Sequence, residues 1–141
     1  MSKEQKPSAC NCLNLRRASQ AITKAYNEAL VPCGITIGQY SILKHIGALS
    51  PVSVSRLAEA VRLDRTTLVR NLKLLEEMGL VVDAGQRTRD RQLCLTGSAV
   101  ETLEEAEKLW QKAQDTVEAY LGAENLQMLT GLLNRIESRW G

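Results

Sequence analysis

The sequence predicts a mainly α-helical protein that carries one small β-hairpin. Phe is absent and aromatic residues make up only 4% of the 141 residues, so aliphatic side chains must fill the core, a composition that favours helices. Along most of the chain, apolar residues recur at spacings of three and four, the period of an amphipathic helix. Residues 80–95 differ, because two short apolar stretches flank a polar loop, which is the pattern of a hairpin.

A flexible polar tail, residues 1–10, precedes the first predicted helix. This helix begins at Asn11 as N-cap, runs to about Val31, and is ended by the Pro32-Cys33-Gly34 segment. Its apolar stripe consists of Leu15, Ala18, Ile22, Ala25 and Ala29.

The next three helices each follow a polar residue that we expect to be the N-cap: Thr36, Ser53 and Asp64. A connection of helix-turn-helix length, Arg62-Leu63, joins the third helix to the fourth. Gly79 permits a left-handed cap after the fourth helix. The expected inward residues are Tyr40, Leu43, Ile46 and Gly47 in the second helix, Leu57, Ala58 and Val61 in the third, and Leu68, Leu72 and Leu75 in the fourth.

Two long helices follow the hairpin. Thr96 is the expected N-cap of a fifth helix over about 97–121, Gly122 breaks that helix, and a sixth covers about 124–139. The first, fifth and sixth helices carry apolar stripes that no local element covers, so we expect a second copy of the chain to cover them in a homodimer. Packing within one chain is the alternative. The two later stripes are Val100, Leu103, Ala106, Trp110, Ala113, Val117 and Tyr120, and Leu126, Leu129, Leu133, Ile136 and Trp140.

The fourth helix has a polar outer face that suits DNA. Arginine pairs with guanine, asparagine reads adenine, and threonine contacts phosphate or a thymine methyl. An ordinary solvated helix face is the alternative reading. The candidate contact residues, which lie on or beside one outer row, are Arg65, Thr66, Thr67, Arg70, Asn71 and Lys73.

The hairpin loop, residues 83–92, is basic. It carries Arg87, Arg89 and Arg91 at alternate positions, which share one side of an extended segment. Such arginines can enter a narrow minor groove, and Asp90 could orient a neighbouring one; a merely charged loop is the alternative. Helix and hairpin together predict a winged helix-turn-helix for double-stranded DNA at residues 35–96, flanked by a helical dimerisation region at 11–34 and 97–141.

Charge and missing motifs narrow the function further. Net charge is +4 over residues 1–52, +2 over 53–97 and −4 over 98–141. A basic first part and an acidic last part suit a protein that binds phosphates on one face only. No apolar run approaches the roughly 20 residues of a membrane span, so we expect a cytoplasmic protein. No phosphate loop, nucleophile elbow or zinc signature appears, and we expect neither an enzyme nor a cofactor or metal site. The rival to a DNA-binding regulator is a winged-helix module that binds a protein instead.

The chain resembles the multiple-antibiotic-resistance regulator (MarR) family of bacterial winged-helix repressors over nearly its whole length. The segments that carry the resemblance are CNCLNLRRASQAI, LAEAVRLDRTTLVRNLKLLEEMGLV, the basic wing, and LCLT before Gly97. The resemblance implies a homodimeric transcriptional repressor on a pseudo-palindromic operator. It also implies release by a small aromatic or anionic effector, bound between the dimer helices and the winged domain.

Site residues follow from the same resemblance. It implies recognition-helix contacts from Thr66, Thr67 and Arg70, and a minor-groove contact from Arg89. The family's wing usually reads Asp-x-Arg, and Arg87 stands here in the place of that acid. The orienting salt bridge of the family therefore has no obvious counterpart at this position.

Two cysteines near the first helix suggest a redox switch. If Asn11 caps the helix, Cys12 lies in its first turn with Arg16 one turn later, and both the helix dipole and the guanidinium favour a thiolate. By resemblance, some relatives sense peroxides or quinones through a cysteine in this region, and Cys10 or Cys33 could serve as the resolving partner. A metal site and a purely structural role are the alternatives.

Overall fold

The computed structural model describes residues 4–85 and 91–141. Within these ranges the predicted fold class, mainly α with a small hairpin wing, is confirmed. A short 3-10 turn at Val31–Cys33 separates the first two helices. The helices are α1 (Asn11–Leu30), α2 (Ile37–Leu49), α3 (Val54–Val61), α4 (Arg65–Glu77), α5 (Gly97–Leu121) and α6 (Ala123–Trp140), and the strands are β1 (Val81–Asp83) and β2 (Leu93–Leu95).

Four of the predicted N-caps are confirmed. Thr36 forms a capping box with Gln39, and the side chains of Ser53, Asp64 and Thr96 each accept a hydrogen bond from the backbone N–H three residues later. Each bond satisfies a donor that the first helical turn cannot pair internally. Gly79 and Gly122 have the positive φ angles expected where a helix ends.

The prediction that Asn11 caps α1 is wrong. Asn11 is the first helical residue, and Cys10 is the N-cap without a side-chain capping bond. The reason lies at Asn14, whose amide accepts from the Ser8 backbone N–H and donates to the Ser8 carbonyl, each over 2.8 Å. This pair holds the incoming chain so that the helix begins one residue earlier than predicted. Cys12 still lies in the first turn.

The core lies between α2, α3, α4 and the hairpin. Most predicted inward residues are buried, while Ala58 and Val61 are half-buried and Ile42 adds a fully buried side chain that the spacing did not reveal. Gly47 was expected inward and is exposed. A Cβ at Gly47 would approach Leu95 Cδ1 to 3.1 Å, because β2 passes close to the backbone there. Each fully buried aliphatic side chain contributes roughly 1.5–3 kcal/mol.

The hairpin is joined to the helical core by a third extended segment. β1 pairs antiparallel with β2, with Val82 opposite Cys94. Val52, before α3, forms an isolated bridge with Leu93, and their backbone groups exchange hydrogen bonds of 3.1 and 2.8 Å. These bonds therefore hold the strands of the hairpin against the segment that precedes α3.

The terminal helices pack on one side and are open on the other. Tyr26 of α1 donates a hydrogen bond to Gln114 of α5, and Tyr40 stacks on Trp110 with ring centroids 5.9 Å apart. The outward stripe of α6 is exposed, from 38% at Ile136 to 78% at Trp140, and Leu15, Ile22, Val100 and Tyr120 are exposed as well. The single chain thus leaves the α6 stripe and the outer side of α1 uncovered. The prediction that no local element covers the stripe of the fifth helix is wrong for its middle, because Ala106 is buried and Leu103 and Trp110 pack against the core. None of the described helices combines the length and apolarity that a bilayer crossing demands.

Candidate nucleic-acid interface

The outer face of α4 presents the predicted polar row to solvent. Leu68, Leu72 and Leu75 are buried beneath the helix and fix its rotation about its own axis. With these leucines inward, positions three and four apart line up along the outer surface. Of the predicted contact residues, those that are exposed are Arg65, Thr66, Arg70 and Lys73. The helix therefore offers two guanidinium groups, a hydroxyl and an ammonium to solvent.

Thr67 and Asn71 differ from the other predicted contacts because they already bond within the protein. The hydroxyl and backbone N–H of Thr67 both donate to the Asp64 carboxylate. These two bonds hold the pKa of Asp64 below its usual value, and the bond from the Thr67 hydroxyl has the larger effect. The amide of Asn71 donates to the Thr67 carbonyl over 3.0 Å. Both side chains are half-buried, and the prediction that they contact DNA stays a prediction.

The turn between α3 and α4 holds an interaction that the sequence did not reveal. Arg62 ends α3 in the left-handed conformation, with φ of 56°, and its Nη1 lies 2.6 Å from Glu137 Oε1 on α6. The hydrogen bond and the charge of Glu137 raise the pKa of Arg62. Nothing local in the sequence signals this contact, since the partners are 75 residues apart. It joins the helix-turn-helix to the C-terminal helix.

The base of the wing is a small cluster of charged groups. Arg91 Nε lies 3.2 Å from Asp83 Oδ2, and Arg91 Nη2 donates to Glu76 near the end of α4. Arg87, Arg89 and the predicted orienting residue Asp90 lie outside the described residues.

The four cysteines are free thiols. Cys10 and Cys12 are exposed at the start of α1, whereas Cys33 and Cys94 are half-buried. Burial, and then the charge of Glu105, raise the pKa of Cys33. Cys33 is therefore a poorer nucleophile than a solvated thiol at neutral pH.

A small surface cavity, open to solvent on its outer side, lies where α1, α2 and α5 meet. Its volume is about 330 Å³, and Ile22, Thr23, Tyr26, Ile37, Ser41 and Trp110 line it. Burial raises the pKa of Tyr26, and its phenol donates a hydrogen bond to Gln114. The cavity combines apolar walls with hydroxyl groups.

A helix-turn-helix whose second helix has a polar outer face, followed by a hairpin fixed against that helix, defines the class of winged helix-turn-helix proteins. A MarR family model matches residues 34–92. A Thauera aromatica protein, provisionally named as the transcriptional regulatory protein for the hcr operon, is 31% identical over 126 residues, which cover 87% of this chain and 76% of that protein. The chain therefore belongs to the MarR family of transcriptional regulators, as the sequence predicted.

Solved structures agree with this membership. The M. tuberculosis regulator MosR in complex with DNA is 32% identical and superposes with a TM-score of 0.77, covering 94% of this chain and 99% of that one. The transcriptional repressor CouR bound to a 23-mer DNA duplex is 26% identical, with a TM-score of 0.80 and coverage of 91% and 92%. CouR bound to p-coumaroyl-CoA gives a TM-score of 0.82, with 26% identity and 91% of each chain covered.

Proposed function

We propose that the protein is a homodimeric, sequence-specific repressor that places α4 of each subunit in successive major grooves of a pseudo-palindromic operator. The observation that carries the proposal is the exposed row of Thr66, Arg70 and Lys73 on a helix whose rotation three buried leucines fix. Two such helices related by a twofold axis read half-sites about one DNA turn apart. Phosphate contacts supply most of the affinity, so binding weakens steeply as salt rises.

The contacts divide between base reading and backbone positioning. Arg70 lies at the centre of the exposed row and has the fork geometry that pairs with guanine. We assign phosphate contacts to Arg65, the first residue of α4, and to Lys73, about one turn before its last residue. Arg87 and Arg89 in the wing remain proposed backbone or minor-groove contacts, on the sequence pattern alone.

The homodimer uses the exposed apolar stripes. Large aliphatic and aromatic side chains are exposed along α6, and Leu15 and Ile22 are exposed on α1. Exposed apolar side chains grouped along a helix are typical of a surface that a partner covers. Burying this surface against the same surface of a second copy removes it from water and pairs two winged domains symmetrically. Residues 11–34 and 97–141 then form the dimerisation region, and residues 35–96 form the DNA-binding domain.

Release from DNA follows effector binding in the cavity between α1, α2 and α5. The six lining residues carry no formal charge, which favours an aromatic effector over an anionic one. CouR, a structural relative, is a repressor whose structure with p-coumaroyl-CoA is known, and this supports a ligand-released mechanism here. Because α1 and α5 belong to the proposed dimer region and α2 to the winged domain, a ligand there can alter the spacing of the two α4 helices.

Thiol oxidation is the second route of release, and it rests on the exposure of Cys10 and Cys12 at the start of α1. A peroxide oxidises one thiolate to a sulfenic acid and leaves as water or alcohol. A second thiol then attacks that sulfur and displaces water, which forms a disulfide. Cys33 is a weaker candidate partner, because burial raises its pKa.

The experiment that tests DNA binding is selection from a random duplex library, followed by titration of the selected sequence at several salt concentrations. The proposal predicts two inverted half-sites and an affinity that falls steeply with salt. Failure to enrich any sequence, with salt-independent binding of a protein partner, would instead support the rival protein-interaction module. Repeating the selection with peroxide or with uncharged phenols distinguishes the two routes of release.

A further inference from the structure

We propose that Arg91 is a positioning residue, which fixes the wing against α4 and does not itself contact DNA. The proposal rests on the DNA-binding function proposed above and deepens it. It gives Arg91 a different role from Arg87 and Arg89, with which it shares the alternating pattern of the loop.

One guanidinium joins three parts of the winged domain. Arg91, just before β2, bonds through Nε to Asp83 at the end of β1 and through Nη2 to Glu76 in the last turn of α4. The arginine fork suits such a bridge, because its N–H donors have a fixed planar arrangement. The contacts are partly shielded from solvent, since the side chains of Arg91, Glu76 and Asp83 are 37%, 34% and 18% exposed.

Asp83 extends this bridge to the hairpin backbone. Its Oδ1 accepts from the N–H of Gly85 over 2.9 Å and from the N–H of Gln92 over 3.0 Å, and Ala84 donates to the Gln92 carbonyl over 2.8 Å. These backbone bonds, and then Arg91, hold the pKa of Asp83 below its usual value. Both ends of the wing loop are thus anchored to a carboxylate that Arg91 holds in place.

The charges of the cluster argue against a phosphate contact. One guanidinium faces two carboxylates, so the base of the wing is locally negative, which repels phosphate. A carboxylate beside a DNA-binding surface lowers affinity by repulsion, so a second role is needed to offset that effect. Orienting Arg91, and through it the loop that carries Arg87 and Arg89, is such a role.

Conservative substitutions separate positioning from contact, because the two roles predict opposite results. Glu76→Gln removes a negative charge near the DNA and would strengthen binding if only charge mattered. Arg91→Lys keeps a cation for phosphate but loses the fork that bridges two acids. We predict that each variant binds the selected operator about five- to tenfold more weakly than wild type. Glu77→Gln, which removes the same charge at the next position of α4, is the matched control and should bind at least as tightly as wild type.

A second measurement needs no DNA. We predict that amide hydrogen exchange at Gln92 and Gly85 is faster in Arg91→Lys and Glu76→Gln than in wild type or Glu77→Gln. Wild-type affinity in both variants, or weaker binding with unchanged exchange, would overturn the proposal. If the wild-type protein binds no duplex at all, the DNA-binding function fails, and the exchange rates alone still decide whether Arg91 holds the hairpin.

Discussion

Arg62 in the turn between α3 and α4 and Glu137 near the end of α6 form an ion pair, with 2.6 Å between Nη1 and Oε1. The turn is part of the helix-turn-helix, whereas α6 is the helix with the most exposed apolar stripe. The ion pair therefore connects α6 to the turn that precedes α4. This pair is a physical link between the proposed dimer surface and the proposed reading helix.

The left-handed backbone of Arg62 leads to a prediction about stability. Arg62→Gly and Arg62→Ala remove the same ion pair, but only glycine relieves the steric cost of φ at 56°. We expect the glycine variant to have the higher Tm of the two in thermal unfolding. Equal Tm values would mean that the backbone conformation at this turn carries no cost.

The dimer proposal predicts that a charged substitution in the apolar stripe of α6 changes the molecular mass of the protein in solution from that of a dimer to that of a monomer. Leu133→Glu places a carboxylate in the middle of the surface that a second copy covers, and an unpaired charge there is costly to bury. We expect the wild type at twice the 15.6 kDa chain mass in analytical ultracentrifugation, and the variant at the single-chain mass. Gln127→Glu, which introduces the same group on another face of α6, should remain dimeric. A monomeric wild type, or a dimeric Leu133→Glu protein, contradicts the proposed interface.

The capping role of Asp64 predicts a dependence of stability on pH. Its pKa in the folded protein is lowered by the bonds from Thr67, so folding favours the carboxylate. The resulting stabilisation is present above the unfolded pKa of about 3.9 and is lost as pH falls through the lower folded value. Asp64→Asn keeps a capping oxygen but cannot titrate. We expect its Tm to fall less than that of wild type between pH 5 and pH 3, whereas Glu59→Gln, an exposed carboxyl without a capping bond, should follow wild type.

The thiol hypothesis predicts that Cys12 is required for release by peroxide. Cys12→Ser should remain bound to operator after hydrogen peroxide treatment that releases wild type, as measured by fluorescence anisotropy. Cys94→Ser, in which a half-buried thiol in β2 is removed, should be released like wild type. Release of the Cys12→Ser protein would remove this cysteine from the mechanism.

Local interactions were predictable from the sequence, and long-range ones were not. Each confirmed N-cap bonds to a residue three positions further along the chain, so a few neighbouring residues are enough to predict it. These caps are Thr36, Ser53, Asp64 and Thr96. The cap predicted at Asn11 is wrong although it too is a local feature, because a competing pair of local bonds between Asn14 and Ser8 fixes the start of α1.

Contacts between distant segments depend on how the helices pack. Tyr26 meets Gln114 across 88 residues, and Arg62 meets Glu137 across 75. No periodicity or spacing encodes such pairs. The alternating arginines show the same limit at shorter range. The sequence pattern gives Arg91 the same predicted role as Arg87 and Arg89. The two acidic partners of Arg91 cannot be inferred from that pattern, because they depend on how α4 packs against the hairpin.

The most direct test of the α4 assignment compares the sequences selected from a random duplex library by wild type and by Arg70→Ala. If Arg70 reads a base, the variant loses preference at one position of each half-site, worth about 1–3 kcal/mol, and keeps it elsewhere. Arg135→Ala, which removes the same charge from α6, should select the wild-type sequence. An Arg70→Ala protein that selects the wild-type operator with unchanged preference at every position would contradict the assignment of α4 as the reading helix.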